Sequence, residues 1–423
     1  MTVLQTNEPE RPGGFLDSIF KINWVFNARR DLVFLIGSVL AGWAVFGLST
    51  VLTGDQMLML WFVWVITLDT PHFFATYSRT YLDREFRQQQ RPLLIWTLGV
   101  FLLGPVCLIV AYSLYGLGSG LFQLPWTFFA ILVSLWAYWH ITRQHYGIMR
   151  LYHRKSGETG TLDSKLDAWV LYGCLLVPFI ALVGRHPSSR GRVDLEGAVP
   201  WFPERVDGQS IVGYFIDLRW EHQIIAMTIV VVAALLTIFV GRQIQRLMRG
   251  EKLPLPKLMF MGAVLPLHIY ICYSDQMLVT GLLTFTVIIT IYHDLQYLAI
   301  VWFYNEKRYG GEPAEAKQRY GAAHTISRRL WLWMGCAIAF SIPIWTLGCM
   351  INRIPVCATG PAVGSPTILG STDWIIFFVL VTSGFQMHHY ILDQYIWRPG
   401  KDKRLREDLK VESVARDSQQ VAS

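Results

Sequence analysis

The stretch QIIAMTIVVVAALLTIFVG, residues 223–241, decides the fold class. It contains no charged side chain, and as an α-helix it would extend about 29 Å, close to the ~30 Å thickness of the hydrocarbon core of a bilayer. A helix on the surface of a soluble protein keeps a charged or polar face, and this stretch has none. The stretch therefore predicts a transmembrane helix.

Similar apolar stretches recur along the whole chain. The composition agrees with them, since 53% of the residues are hydrophobic and 16% are charged, against roughly 25% charged in soluble domains. We therefore predict an all-α, polytopic integral membrane bundle of about ten transmembrane helices. The predicted spans are residues 32–52, 56–78, 93–117, 122–147, 166–186, 223–241, 255–273, 278–304, 330–351 and 373–397.

The spans make one membrane domain, residues 32–397, which includes a long outer loop at 187–222. An N-terminal arm, residues 1–31, precedes it, and a polar tail, residues 398–423, follows it and is expected to be disordered. Apolar and charged residues alternate from Phe15 to Arg30, which is typical of a helix lying in the membrane interface. A disordered arm is the alternative.

The distribution of basic residues predicts the orientation of the chain. Of the 37 Lys and Arg residues, 31 fall before the first span, in every second loop, or in the tail. The other six are Arg185, Arg190, Arg192, Arg205, Arg219 and Arg353. The positive-inside rule then places both termini in the cytoplasm. Topology thus accounts for the net charge of +7, and no nucleic-acid partner is needed.

Histidines and aspartates gather near the cytoplasmic ends of four predicted spans. Counting from the outer end of each span at 1.5 Å per residue places the histidines of all four at roughly 22–27 Å depth. We therefore expect these side chains to meet in one layer as metal ligands. The candidate ligands are Asp69 and His72 in span two, His140 and His145 in span four, His293 and Asp294 in span eight, and His388, His389 and Asp393 in span ten.

The chemistry of this set favours a metal ion. A charged aspartate within a span costs about 2.5–3.5 kcal/mol on insertion scales, so three of them suggest a compensating cation. Imidazole with carboxylate suits iron, zinc, manganese or copper, and the lack of cysteine pairs argues against an iron–sulfur cluster. Six histidines exceed what one zinc ion uses, which favours two metal ions.

Other polar residues near this layer have different expected roles. We expect the nearby glutamines and arginines to support the ligands or to contact substrate; these are Arg79, Arg143, Gln144, Gln296 and Gln386. His153 and His324 lie among loop charges and are expected to be solvated. His268 is expected to be a packed polar residue.

Two short motifs resemble those of a known enzyme group. His140 and His145, with four residues between them, look like the first box of the histidine-box membrane oxidoreductases, and Gln386-Met387-His388-His389 is similar to their last box. The last box is one residue short here, and a middle box with paired histidines is missing. The resemblance to these desaturases and hydroxylases implies a non-haem di-iron centre on the cytoplasmic side that oxidises a lipid-soluble substrate with oxygen. Electrons would come from an external donor, since the chain has no dinucleotide-binding fingerprint.

Two other function classes remain open. A zinc-dependent membrane hydrolase would use three histidines and a metal-bound hydroxide, without oxygen. An ion-coupled transporter would use the carboxylates as an ion path. The transporter is less favoured, because the polar residues occupy one layer and no internal repeat is evident.

Overall fold

The fold is known from a computed structural model, which describes residues 18–116, 124–158, 161–185, 218–310, 313–352 and 381–398, with Leu405 and Glu407. Its main helices are α1 (Ala28–Ser49), α2 (Gly54–Thr80), α3 (Arg91–Tyr115), α4 (Leu124–Ser156), α5 (Leu162–Arg185), α6 (Leu218–Met248), α7 (Leu255–Tyr273), α8 (Gln276–Arg308), α9 (Leu330–Asn352) and α10 (Ser383–Ile396). Short helices occur at Arg84–Gln89, Pro313–Tyr320 and Ala322–Ile326. The all-α class is thereby confirmed.

Among the described residues, seven helices are long and apolar enough to cross a membrane. They are α1, α2, α3, α5, the Gln223–Met248 part of α6, α7, and the Thr284–Arg308 part of α8. Each overlaps one predicted span, which supports a multi-pass membrane protein. Span 330–351 contains a shorter apolar helix, Leu330–Thr346, and spans 122–147 and 373–397 extend beyond the described residues. The predicted number of about ten spans is therefore not confirmed.

Helix α8 lies at the centre of the bundle. In α8, 83% of the apolar stretch is buried by protein, against 6% in α6, whose side chains face outward. Helix α8 packs against α1, α2, α4, α5 and α7. Gly42 of α1 permits one of these contacts, because a Cβ there would lie 2.9 Å from the carbonyl oxygen of Ile288. Small residues at such crossings let helix backbones approach closely.

Helix α2 contains a widened turn just before its histidine. Residues Val65–Asp69 are π-helical, and Pro71 follows at the start of the next α-helical segment. Proline has no N–H to donate to the preceding turn, so the regular ladder is interrupted here. Single π-turns are uncommon and occur often at functional sites. In this chain the π-helical segment ends at Asp69, three residues before His72.

The N-terminal arm differs from the expected interfacial helix over part of its length. Phe20–Lys21 forms a short strand that pairs in parallel with Leu253–Pro254. The following backbone is held by the buried carboxylate of Asp31, which accepts hydrogen bonds from the N–H groups of Val25 and Phe26 at 2.6 and 3.1 Å. These tertiary contacts replace helical hydrogen bonds. Residues 1–17, most of the outer loop (186–217) and nearly all of the tail lie outside the described residues, so the domain division stays a prediction.

Candidate metal centre

Four histidines from four helices form one buried group. They are His72 of α2, His140 of α4, His293 of α8 and His389 of α10, each at most 8% exposed. The His389 ring centre lies 4.2 Å from that of His72 and 4.9 Å from that of His140. The His293 ring centre lies 5.0 Å from His72 and 5.3 Å from His140. The structure therefore brings together one histidine from each of the four helices that the sequence singled out.

Three aspartates border this group on two sides. Asp69 and Asp294 join His72 on one side, and Asp393 joins His140 and His389 on the other. Within each trio, one ligand atom per residue lies within 4.8 Å of the others. No residue belongs to both trios, so each trio can serve a separate metal ion. His293 lies between them, because it also forms a close group with His72 and His140.

Most of the imidazole nitrogens in this group have no hydrogen-bond partner among the described residues. Both ring nitrogens of His72, Nδ1 of His293, and Nε2 of His140 and His389 are buried without a hydrogen bond to any described residue. Oδ1 of Asp294 is also buried without a hydrogen bond, and it lies 3.2 Å from Nδ1 of His72. Each unsatisfied buried polar atom costs about 1–3 kcal/mol. Such a concentration of unused ligand atoms fits a bound cation.

In two of the aspartates, one carboxylate oxygen accepts hydrogen bonds from neighbouring side chains and the other oxygen lies near a histidine. Asp393 Oδ1 accepts hydrogen bonds from the hydroxyls of Tyr297 at 2.5 Å and Thr76 at 2.8 Å. Its Oδ2 lies 3.4 Å from Nε2 of His389. In the same way, Asp294 Oδ2 accepts a hydrogen bond from the indole N–H of Trp64 at 2.8 Å. Donors of this kind orient metal-ligating carboxylates in metalloproteins.

Two predicted ligands are not part of the central group. The ring of His145 is 6.4 Å from that of His293 and stacks on Tyr292 at 5.3 Å, so it borders the group. His388 is not brought to the group. Its ring nitrogens lie 3.1 to 3.3 Å from the hydroxyls of Tyr81, Thr97 and Tyr77, which satisfy them.

Three of the five expected supporting residues contact the histidine backbone or pack between helices, whereas the side-chain oxygen of Gln386 is buried without a hydrogen bond to a described residue. The side-chain amide of Gln144 donates to the carbonyl of His293 at 2.9 Å, and that of Gln296 donates to the carbonyl of Leu35 at 2.8 Å. The guanidinium of Arg79 lies over the rings of Tyr304 and Trp397. Gln144 thus holds the backbone at His293, a candidate ligand, whereas Arg79 packs against aromatic rings outside the histidine group.

His268 is packed as expected, but it has close aromatic neighbours. Its Nδ1 lies 3.0 Å from the hydroxyl of Tyr138, and its Nε2 is hydrogen-bonded to the hydroxyl of Tyr292. Because both nitrogens are used, His268 has no nitrogen left for a metal ion.

The expectation that His153 and His324 are solvated is wrong, because both lie in helices and tertiary packing buries them. His324 is 6% exposed, and its Nδ1 lies 2.8 Å from the carbonyl of Tyr309. Burial raises the pKa of the Tyr309 hydroxyl well above its usual value. His153 is fully buried and lies 2.8 Å from a carboxylate oxygen of Asp167.

His153 and Asp167, with Glu158, also have the spacing of a metal site. Here, however, the ammonium of Lys257 lies 2.6 Å from Asp167 and 2.8 Å from Glu158. The guanidinium of Arg246 lies 2.6 Å from the other oxygen of Glu158. These two side chains already supply the cations, so we interpret this cluster as a structural ion network.

A cavity lies beside the central group and is lined by one of its histidines. It has a volume of about 260 Å³. Its lining residues come from α4 and α10 and are Trp136, Trp139, His140, Arg143 and Gln394. His140 is thus shared between the cavity and the histidine group.

Sequence reasoning missed the residues that hold the ligands. Thr76 follows His72 by four residues, and Tyr297 follows His293 by four, so each pair shares a helix face. That spacing was a usable signal. Trp64 gave none, because the nearest candidate ligand on its own helix, Asp69, is five residues away.

Comparisons of the chain with protein-family models, curated proteins and solved structures give no match.

Proposed function

We propose that this protein is a multi-pass membrane metalloenzyme that oxidises a lipid-soluble substrate with oxygen at two iron ions. One ion would be held by Asp69, His72 and Asp294, and the other by His140, His389 and Asp393. His293 would complete either site. The observation that carries the proposal is the set of buried imidazole nitrogens without a hydrogen bond to a described residue, grouped around three aspartates.

The ligand types favour iron. Two histidines and one carboxylate, the set formed by His140, His389 and Asp393, are typical of non-haem iron oxygenases. Iron in such a site supplies oxygen-dependent oxidation. No described cysteine belongs to a metal group, and thiolates are the ligands that select copper(I) or iron–sulfur clusters.

The protein contributes orientation and the exclusion of water. Thr76, Tyr297 and Trp64 hold the aspartates, and the burial of the histidines keeps bulk water away from the group. For a hydroxylation, one oxygen atom enters a C–H bond of the substrate and the other leaves as water. Two electrons and two protons are consumed, so the electrons must come from an external donor such as a reduced iron–sulfur or flavin protein. The substrate reaches the group from the surrounding lipids.

We further propose that both termini and the histidine group lie on the cytoplasmic side. The bias of basic residues toward one set of loops supports this orientation. It would also place the group within reach of a soluble cytoplasmic electron donor.

Metal analysis of the full-length protein, purified in detergent without chelators, tests the proposal. We expect close to two irons per chain and oxygen uptake when a reductant and a lipid substrate are supplied. His389→Ala should lower the iron content, because Nε2 of His389 is a proposed ligand atom. The matched control is His388→Gln, a neighbouring buried position outside the group, which should retain iron.

Two results would overturn the proposal. Stoichiometric zinc with oxygen-independent hydrolysis would favour the hydrolase, which the trio His72, His140 and His293 could support. Equal iron content in His389→Ala and the unaltered protein, each measured on the monodisperse fraction, would show that the histidine group does not hold the metal.

A further inference from the structure

We infer that the cavity between α4 and α10 is the substrate entrance, and that it takes single-chain amphiphiles with an anionic head group bound by Arg143. This inference rests on the proposed function and names the substrate class for the same site. The head-group anion is a carboxylate or a phosphate.

One lining residue of the cavity, His140, belongs to the candidate metal centre. His140 lines the cavity, and its Nε2 lies 3.9 Å from Oδ2 of Asp393. Its ring stacks on Tyr390 with 4.3 Å between the ring centres. A molecule in the cavity would therefore touch a proposed ligand directly. At about 260 Å³, the cavity is smaller than the roughly 300–1,000 Å³ typical of ligand pockets, so it suits one end of a chain molecule.

The outer side of the cavity is apolar. Trp136 and Trp139 form part of its wall, and Trp139 is 42% exposed. On the same helix, large apolar side chains are exposed over the turns that precede the cavity; these are Phe128, Ile131, Leu132 and Leu135. An exposed apolar surface of this kind faces acyl chains in a membrane protein. A substrate chain can thus reach the cavity from the lipid phase.

Arg143 gives the cavity a positive charge. Among the lining residues of α4, it is the one nearest the C-terminal end of that helix. Its guanidinium donates a hydrogen bond to the Tyr172 hydroxyl at 2.6 Å and lies 5.1 Å from the centre of the Tyr146 ring. No carboxylate among the described residues forms an ion pair with it, whereas Arg242 and Arg308 are each paired with aspartate. A guanidinium fixed by neutral neighbours keeps donors available for a carboxylate or phosphate.

The spacing on α4 predicts where such a substrate would be oxidised. Arg143 follows His140 by three residues, so both lie on one face, about 4.5 Å apart along the axis. A head group bound at Arg143 would place the first carbons of the chain next to His140. We therefore expect oxidation near the head group and not in the middle of the chain.

Binding of radiolabelled palmitate to the full-length protein in phosphatidylcholine nanodiscs tests the inference. Arg143→Gln should weaken binding about tenfold, which corresponds to about 1.4 kcal/mol, while the neutral analogue hexadecanol should bind as before. Arg143→Lys should restore part of the affinity. Arg150→Gln, two turns further along α4, is the matched control and should bind normally. Gln394→Trp, which fills the cavity, should weaken both ligands.

The head-group chemistry and the dependence on iron are separated within the same experiment. Hexadecyl phosphate competing better than palmitate would assign a phosphate head group, and the reverse would assign a carboxylate. Unchanged palmitate affinity in Arg143→Gln would overturn the inference, even if iron and oxygen uptake are found. Arg143-dependent binding in protein that never contains iron would support the entrance and refute the proposed oxidation.

Discussion

The hydroxyl oxygen of Thr76 lies 2.6 Å from Nδ1 of His389. The Thr76 hydroxyl proton is donated to Asp393, which also accepts a hydrogen bond from Tyr297. When the Thr76 proton is donated to Asp393, the Thr76 oxygen accepts a hydrogen bond from His389, and the proton of the neutral imidazole is then on Nδ1. Nε2 then has its lone pair available. In this arrangement the network favours the tautomer that a metal ligand needs.

The first prediction concerns this hydroxyl. Thr76→Val keeps the shape of the side chain and removes the hydrogen bonds to His389 and Asp393. Changes of this kind in metalloproteins weaken metal binding about 10–100-fold, and we expect a loss in that range for iron. Competition with a chelator of known affinity measures it. Thr76→Ser restores the hydroxyl and should bind iron within a few-fold of the unaltered protein; equal affinity of the Val variant would contradict the assigned role.

The second prediction uses the separation of the two aspartate–histidine trios. Asp294→Asn keeps the volume of the side chain and its contact with Trp64 but removes the charge. Only the trio of Asp69, His72 and Asp294 should therefore lose its iron. Asp393→Asn should affect only the other trio. Each variant is expected to contain close to one iron per chain, measured by elemental analysis of folded protein.

A matched control for this experiment is Asp31→Asn, a buried carboxylate outside the centre, which should retain two irons. Complete loss of iron in both aspartate variants would show that the two trios form one cooperative site. Full iron content in both would remove the aspartates from the ligand set.

The depth of the histidines could be predicted from the sequence, but their direction could not. Depth follows from the rise per residue along one helix, so four spans with polar residues at similar depth were expected to meet. His388 and His389 have nearly the same depth but differ by about 100° around the helix axis. Only His389 points into the bundle centre, since packing of α10 against α2 and α4 sets its rotation.

The ion network around Lys257 was not predictable for a related reason. Its members come from α4, the turn after it, α5, α6 and α7, and no local pattern marks them as partners. Charged residues near span ends usually face water, so solvation of His153 was the expected outcome. The structure instead buries His153, Asp167 and Lys257 completely. The pairing of opposite charges offsets the desolvation penalty of burying them.

The third prediction tests the structural role of that network. Lys257→Met would leave the carboxylates of Glu158 and Asp167 buried without the ammonium, and removing one member of a buried ion pair typically costs about 3–5 kcal/mol. Thermal unfolding in detergent should show a clear fall in the midpoint. Adding Asp167→Asn to Lys257→Met should recover part of the stability, because it removes one unpaired charge.

Lys252→Met, at an exposed position close in sequence, is the control and should unfold like the unaltered protein. The folded fraction of Lys257→Met should keep its iron. Loss of iron at unchanged stability would instead mean that the His153 cluster belongs to the metal chemistry.

The fourth prediction concerns the orientation of the chain in the membrane. Because basic residues are concentrated in alternate loops, reporters fused near Arg84, Arg154, Arg249 and Lys317 should remain in the cytoplasm. A reporter fused at Arg205, in the long loop of opposite orientation, should be exported. Pairing a reporter that is active only outside with one that is active only inside makes every fusion informative. Export of a reporter fused near Arg154 would show that the C-terminal end of α4 is outside the cytoplasm. It would contradict the proposed cytoplasmic position of the histidine group and its access to a soluble electron donor.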